Sequence, residues 1–291
     1  PTGKRMIDNL RRAESELGKQ CRVAMDLAGP KIRTGSLGKN LDAITLRRSE
    51  RLILTADTTR GRAATRDPLR NIVTPARVGC TLPQIFADVQ PGQRLLLDDG
   101  KIATEIREAH DDHLVLEVTR AKKKGSRLKA FKGINLPDSE LDLPALTEKD
   151  LRDLEFVARL ADIVIYSFVR RPEDIRRLHQ ELNRIGRHDI SVILKIENPQ
   201  SFSNLPLLLL EALQYFPSTG VMVARGDLAV ECGWERLVEV QEEILWMCEA
   251  AHVPVVWATQ VLEGLAKTGL HTRAELTDAG AGSMAECVML N

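Results

Sequence analysis

The sequence predicts an α/β protein in which a parallel sheet is covered by helices and interrupted by a β-rich insertion. From about residue 145 onward, short and strongly apolar runs alternate with amphipathic helical patterns. IVIYSF begins at Ile163, VILKIE at Val192, VMVARG at Val221, PVVWAT at Pro254 and CVML at Cys287, starts that lie 29, 29, 33 and 33 residues apart. Short apolar strands alternating with helices mean a parallel sheet with helices on its faces. The same pair of patterns stands upstream, as the amphipathic KRMIDNLRRAESELGK and the apolar CRVAMDLAG. Between Thr34 and about Phe131 the helical periodicity fades, and AITLRRSERLILT, RLLLDDGKIATEI and HLVLEVTRA read as strands. The Asp99-Gly100 pair between two of them is a hairpin signal.

Taken in order, the elements have readable ends. In LTEKDLRDLEFVARL, Thr147 is an N-cap with Asp150 three residues on, and Leu151, Leu154 and Val157 form one stripe. RPEDIRRLHQELNRIG opens with Pro172 in the first turn, spaces Ile175, Leu178, Leu182 and Ile185 at helical intervals, and stops at Gly186. Six strands of the alternating kind are expected, at 22–26, 163–168, 192–197, 221–226, 254–258 and 287–290. A closed (β/α)₈ barrel needs eight, whereas an open doubly wound sheet uses six, and periodicity alone leaves both open. The expected domains are a discontinuous α/β domain (1–34 and 132–291) and an inserted β-rich domain (35–131).

The composition narrows the function classes. With 43% hydrophobic and 28% charged residues the 291-residue chain is of the ordinary soluble globular kind. Lys plus Arg and Asp plus Glu both number 41, so no overall field points to nucleic acid or a membrane surface. The longest apolar runs, such as LPLLLLEAL, fall short of a bilayer span, and no signal peptide stands at the start. Five scattered cysteines without a C-x-x-C pair fit reduced thiols in a cytoplasmic setting rather than disulfides or zinc. The expected partners are therefore small molecules, with a homo-oligomer compatible.

Function is expected at the C-terminal ends of the parallel strands, where ligands gather in either architecture. Asp26, Ser167, Lys195 with Glu197, Arg225 with Asp227, and Thr259 with Gln260 all stand there. Singly, each is as well explained as a cap or a salt bridge. Packing explains the set poorly, because ionised groups are costly to bury. Period-two alternation puts Lys195 and Glu197 on one face, with Leu194 and Ile196 on the other. Glu197 and Asp227 offer hard oxygen ligands, too few for a Ca²⁺ cage but suited to Mg²⁺ with substrate oxygens and water. Beside such an ion, Lys195 is equipped to neutralise a migrating phosphoryl group or a developing enolate. The LAVE stretch after Asp227 is expected to open a short helix, with Gly226 allowing close approach of a carboxylate or phosphate.

MDLAGPKIRTG, LLLDDGKI, KGINLP followed by LPALTEKD, SFVR, KIEN, MVARGDLAVE, ATQVLE, TRAELTD and CVML resemble the successive signatures of pyruvate kinases, in that family's order and over nearly the whole chain. The resemblance implies a (β/α)₈ barrel with a β-rich lid inserted after its third strand, so that six of eight barrel strands are present here. It implies phosphoryl transfer from phosphoenolpyruvate to ADP in glycolysis, with Mg²⁺ or Mn²⁺. Lys195 then matches the catalytic lysine that stabilises the transition state. Glu197 and Asp227 match metal ligands. Gly226, Asp227, Thr259, Ser167 and Lys195 match substrate-binding positions, and Arg33 and Lys132 match nucleotide-phosphate contacts at the lid hinges. Asp26, Leu27 and Lys31 fall at the monovalent-cation position.

Departures from the family pattern accompany the match. Leu27 replaces a common Thr, and Lys31 stands where Glu is frequent, so its ammonium is expected to substitute for K⁺. The strand carrying the family's Arg and Asn-x-Ser has no counterpart, and the Ser-Gly-Glu-Thr that follows CVML is replaced by an end at Asn291. With the Pro1 start, these features lead to the expectation of an excised or incompletely represented chain. Two other functions remain to be separated from the kinase: a non-catalytic relative that binds metabolite or nucleotide and regulates a partner, and a Mg²⁺-dependent barrel lyase or aldolase acting on oxo-acids. GAGSMA, which matches a dinucleotide fingerprint, precedes a strand instead of following one and reads as close helix packing. The basic Arg120–Lys132 stretch reads as a solvated hairpin face.

Overall fold

The computed structural model describes residues 2–57 and 59–290, so that Pro1 and Asn291, to which the expectation about the chain's ends refers, lie outside the described residues. The chain divides into two compact units, one of Pro1–Gly29, Pro144–Ala229 and Trp234–Asn291, the other of Pro30–Leu143 and Val230–Gly233.

The first unit holds six parallel strands, β1 (Ala24–Leu27), β2 (Ile163–Tyr166), β3 (Ser191–Ile196), β4 (Thr219–Ala224), β5 (Val255–Ala258) and β6 (Cys287–Val288). Among the described residues nine helices accompany them: α1 (Thr2–Leu17), α2 (Glu148–Leu160), α3 (Pro172–Ile185), α4 (Pro199–Ser203), α5 (Leu205–Tyr215), α6 (Arg225–Glu231), α7 (Leu237–Ala250), α8 (Glu263–Thr268) and α9 (Arg273–Gly282). Each strand pairs in parallel with the next in sequence, from β1 through β6. A doubly wound sheet reverses its strand order at a switch point, and this sheet has no reversal. Adding every strand to the same edge is the winding of a (β/α)₈ barrel, here with six of its eight strands.

The strands fall within two residues of the expected positions, and the shifts have reasons. β4 runs over 219–224 instead of 221–226 because Arg225 and Gly226 enter α6, so that helix starts two residues before Asp227 and not after it. β2 stops at Tyr166, which leaves Ser167 just past the strand. In β3 the buried residues are Val192, Leu194 and Ile196, and Ser191, Ile193 and Lys195 lie on the other face. On that second face Ile193 joins Ile165, Met222, Val256, Ala258 and Met289 in a small apolar cluster. Lys195 stands two residues beyond Ile193 on the same side, at the strand's C-terminal end.

The helices end where their chemistry requires. The Thr147 hydroxyl accepts from the Asp150 amide at 3.1 Å, and Asp150 accepts from the Thr147 amide at 2.9 Å, a reciprocal capping box. The other Asp150 oxygen accepts from the Gly29 amide at 3.3 Å, which ties α2 to the loop after β1 although Asp150 is fully buried. α3 stops at Gly186 with φ +78°, a left-handed cap that favours glycine. At the end of α9, a Cβ on Gly282 would stand 2.8 Å from the Trp257 ring, so the small residues of GAGSMA let that helix approach β5. Among the described residues no helix is long and apolar enough to cross a membrane.

The second unit is built on a six-stranded sheet in the order 134–135, 94–97, 102–109, 113–120, 51–55, 76–79. Leu52, Leu54, Leu95, Leu97, Ile106, Leu114 and Leu116 are among its fully buried residues. The hairpin at Asp99-Gly100 joins Arg94–Leu97 to Ile102–Ala109, with Asp98, Asp99 and Gly100 all at positive φ. In the basic stretch Ser126 and Leu128 point inward and Arg127 outward, as on a strand with one wet face.

Two outcomes are expected from this architecture. Asp150→Ala leaves the partly buried Thr147 and Gly29 amides without an acceptor and is expected to cost about 1–2 kcal/mol, read as a lower urea midpoint at unchanged slope. Burial pushes the Cys80 thiol up to about 11 and the Cys248 thiol up to about 12, the latter aided by the Glu286 charge. Ellman's reagent at pH 8 is therefore expected to modify exposed Cys21 and Cys287 in the native protein, and Cys80 and Cys248 only after unfolding.

Candidate active site

Neighbouring parallel strands deliver ionised groups to one place because their C-terminal ends are in register. Asp26 in β1 pairs with Ile165 in β2, and Ile165 with Ile193 in β3, two residues before Lys195. Lys195 Nζ lies 3.0 Å from Glu197 Oε1 and 3.6 Å from Asp26 Oδ2. The Glu197 side chain is 2% exposed and that of Lys195 13%, whereas Asp26 is open at 52%. Ser167, buried just past β2, donates from Oγ to Asp26 Oδ1 at 3.4 Å. The second Glu197 oxygen accepts from the Phe168 amide at 2.8 Å.

Burial acts against the Lys195 ammonium, but the Glu197 and Asp26 charges, the hydrogen bond to Glu197 and the Asp227 charge outweigh it, and its pKa is raised. Burial also pushes the Glu197 carboxyl up; Lys195 opposes that and the Asp227 charge adds to it. One ammonium thus faces three carboxylates, and the surplus is negative. A further cation would relieve it. Among the described residues no group of three or more His, Cys, Asp or Glu side chains is arranged to hold a metal ion. Two carboxylates, one of them buried beside another negative charge, fit Mg²⁺, which keeps several of its sites for water and substrate oxygens.

The β4 and β5 ends supply the rest. Thr259 follows β5 at φ +69°, and its hydroxyl accepts from the Gly226 amide at 3.2 Å. A Cβ on Gly226 would meet only Thr259 Oγ1, at 3.7 Å, so packing does not demand glycine there. Arg225 and Asp227 flank it in the first turn of α6.

Leu27 ends β1 and is buried, and Lys31 is exposed in the second unit. Arg33 forms an isolated bridge with Gly133, and its guanidinium donates to the Phe131 carbonyl at 3.0 Å. Lys132 reaches Asp98 at 2.8 Å, and that carboxylate holds the ammonium's pKa up. Arg33 and Lys132, nearly a hundred positions apart in sequence, therefore stand on adjoining segments.

Sequence reasoning missed two participants. Phe168, held at φ +57°, contributes a backbone amide that donates to Glu197. Its ring occupies the space beside Gly29, where a Cβ would stand 2.6 Å from it. Asp278 of α9 pairs with the Arg225 guanidinium. The signals for both lay inside quoted motifs, SFVR and TRAELTD, but neither segment carries periodicity that reveals a contact.

Comparison with known proteins bears on the family. Residues 2–291 match the family described as pyruvate kinase, barrel domain. A pyruvate kinase of Hypocrea jecorina is 37% identical over 290 residues, covering 98% of this chain and 50% of that protein. A pyruvate kinase of Bacillus licheniformis is 35% identical over 273 residues, covering 94% of this chain and 43% of that protein. The crystal structure of a pyruvate kinase from Cryptosporidium parvum superposes with a TM-score of 0.83 at 30% identity, covering 98% of this chain and 55% of that one. The chain thus spans about half the length of the curated relatives it matches. With the family matched over residues 2–291 and the strand order of its barrel observed, the chain belongs to the pyruvate kinase family.

Proposed function

We propose that the protein transfers the phosphoryl group of phosphoenolpyruvate to ADP, giving pyruvate and ATP. The observation that carries this is the Lys195 ammonium, held 3.0 Å from a buried carboxylate and within the field of two more. Family membership supports the substrate pair, because relatives named pyruvate kinase align over nearly all of this chain.

Each residue then has a task. Lys195 stays protonated at neutral pH, since its neighbours raise its pKa, and it provides a fixed positive charge for the phosphoryl oxygens in flight. Mg²⁺, or Mn²⁺ in its place, would be held by Glu197 and Asp227 and would neutralise charge on the same oxygens. The Phe168 amide fixes one Glu197 oxygen, leaving the other to Lys195. Gly226 and Thr259 would receive the carboxylate end of the substrate, and Ser167 steadies Asp26. Arg33 and Lys132 would contact nucleotide phosphates. Lys31 would do for the site what K⁺ does where a Glu stands. All five cysteines are free, which supports a cytoplasmic setting.

In the complete protein, a coupled assay is expected to show pyruvate formation from phosphoenolpyruvate and ADP that stops with EDTA and returns with Mg²⁺ or Mn²⁺. Lys195→Met should lower kcat by at least about 10²–10³-fold with an unchanged circular dichroism spectrum. Equal activity in the variant would remove Lys195 from the mechanism, and no activity in the wild type would favour a binding protein built on this site. Exchanging Na⁺ for K⁺ at constant ionic strength should leave the rate unaltered, and a steep rise would contradict the role given to Lys31.

A further inference from the structure

Three elements of the first unit converge on one side chain that the proposed chemistry does not use. Arg225, in the first turn of α6, has an 11% exposed side chain. Its Nε donates to the Ala258 carbonyl at 2.8 Å, one Nη to the Thr259 carbonyl and the other to Asp278 of α9. The guanidinium lies over the ring of Trp257, 4.9 Å from its centroid, and that ring is 1% exposed. Charge, fork geometry and stacking thus fix the group on every side.

What the guanidinium grips is a segment that resists its own conformation. Thr259, Gln260 and Leu262 have φ of +69°, +56° and +51°. Side chains other than glycine disfavour that region, β-branched threonine most of all, and leucine lacks the short polar side chain by which Asn and Asp compensate. The two carbonyls that Arg225 binds are the last of β5 and the first of this turn. Holding both sets the direction in which the chain leaves the strand. The same turn presents the Thr259 hydroxyl to the Gly226 amide, adjacent to Arg225 in sequence.

We infer that Arg225 is a positioning residue that clamps the strained turn after β5 and thereby sets the place of Thr259 against the first turn of α6, where the carboxylate end of the substrate is received. The substrate half of this inference rests on the function proposed above; the clamp itself does not. Asp278 serves the clamp by balancing the buried charge and aiming the fork. A lysine cannot replace the arginine, because one ammonium has no planar fork to span two carbonyls and a carboxylate.

The test uses Arg225→Lys and Asp278→Asn in the complete protein, with two readouts. Hydrogen exchange of the amides of residues 259–264, without ligands, is expected to be faster in both variants, more so in Arg225→Lys, while amides of β3 and α3 keep wild-type rates. In steady-state kinetics the KM for phosphoenolpyruvate should rise about 10–100-fold in Arg225→Lys with a smaller change in kcat, because the reacting atoms and Lys195 stay in place. Wild-type exchange at 259–264 would overturn the clamp. Faster exchange with a fall in kcat alone would overturn the assignment to substrate positioning. An inactive wild type would refute the proposed reaction, while exchange would still decide for or against the clamp.

Discussion

The buried Lys195–Glu197 pair is the constraint around which the strand ends are organised. At 3.0 Å and an effective dielectric of about 20, two unit charges attract by about 5.5 kcal/mol. Removing two ions from water costs several kcal/mol each, so the pair roughly breaks even or loses as a stabilising device. It is therefore a weak explanation of why the fold persists and a strong one of what the fold is for. The stability of this unit comes instead from residues such as Val192, Leu194 and Ile196 on the opposite face of the same strand, all fully buried. One strand thus performs both tasks, with packing on one side and charge on the other.

That division was legible because it follows a period of two. Alternation placed Lys195 and Glu197 together and apart from Leu194 and Ile196, and the structure has them so. The strand–helix rhythm located six strands, and the Thr147–Asp150 box and Gly186 marked helix ends because capping is a local interaction between residues three or four apart. The choice between barrel and open sheet was not legible in periodicity. It depends on which edge each strand joins, a long-range property that only the pairing from β1 through β6 reveals.

Other parts of the site were hidden for a different reason. The approach of Asp26 to Lys195 requires β1 and β3 to flank β2, although well over a hundred residues separate them in sequence. The start of α6 at Arg225 was concealed by the apolar VMVA run, which reads smoothly into a longer strand. Neither Phe168 nor Thr259 announces a left-handed backbone, because no side-chain pattern encodes it where glycine is absent.

Those unsignalled backbones have a common location. Phe168 follows β2, and Thr259, Gln260 and Leu262 follow β5, all at the C-terminal ends of parallel strands. Each such residue costs on the order of 1–3 kcal/mol and persists only where its surroundings hold it. The holders are visible: Glu197 accepts the Phe168 amide, the Gly29 gap admits the Phe168 ring, and Arg225 binds the Ala258 and Thr259 carbonyls. If strain were a by-product of turning the chain, it would be expected after β3 and β4 as well. There the chain passes Glu197 and Asp227 into α4 and α6 without a positive φ outside glycine. At the C-terminal strand ends, strain instead accompanies the two turns whose backbone or hydroxyl meets Glu197 or Gly226. The ends that carry Glu197 and Asp227 are relaxed, and the ends whose polar atoms meet Glu197 or Gly226 are not, as expected if orientation of a few polar atoms is what the strained turns are held for.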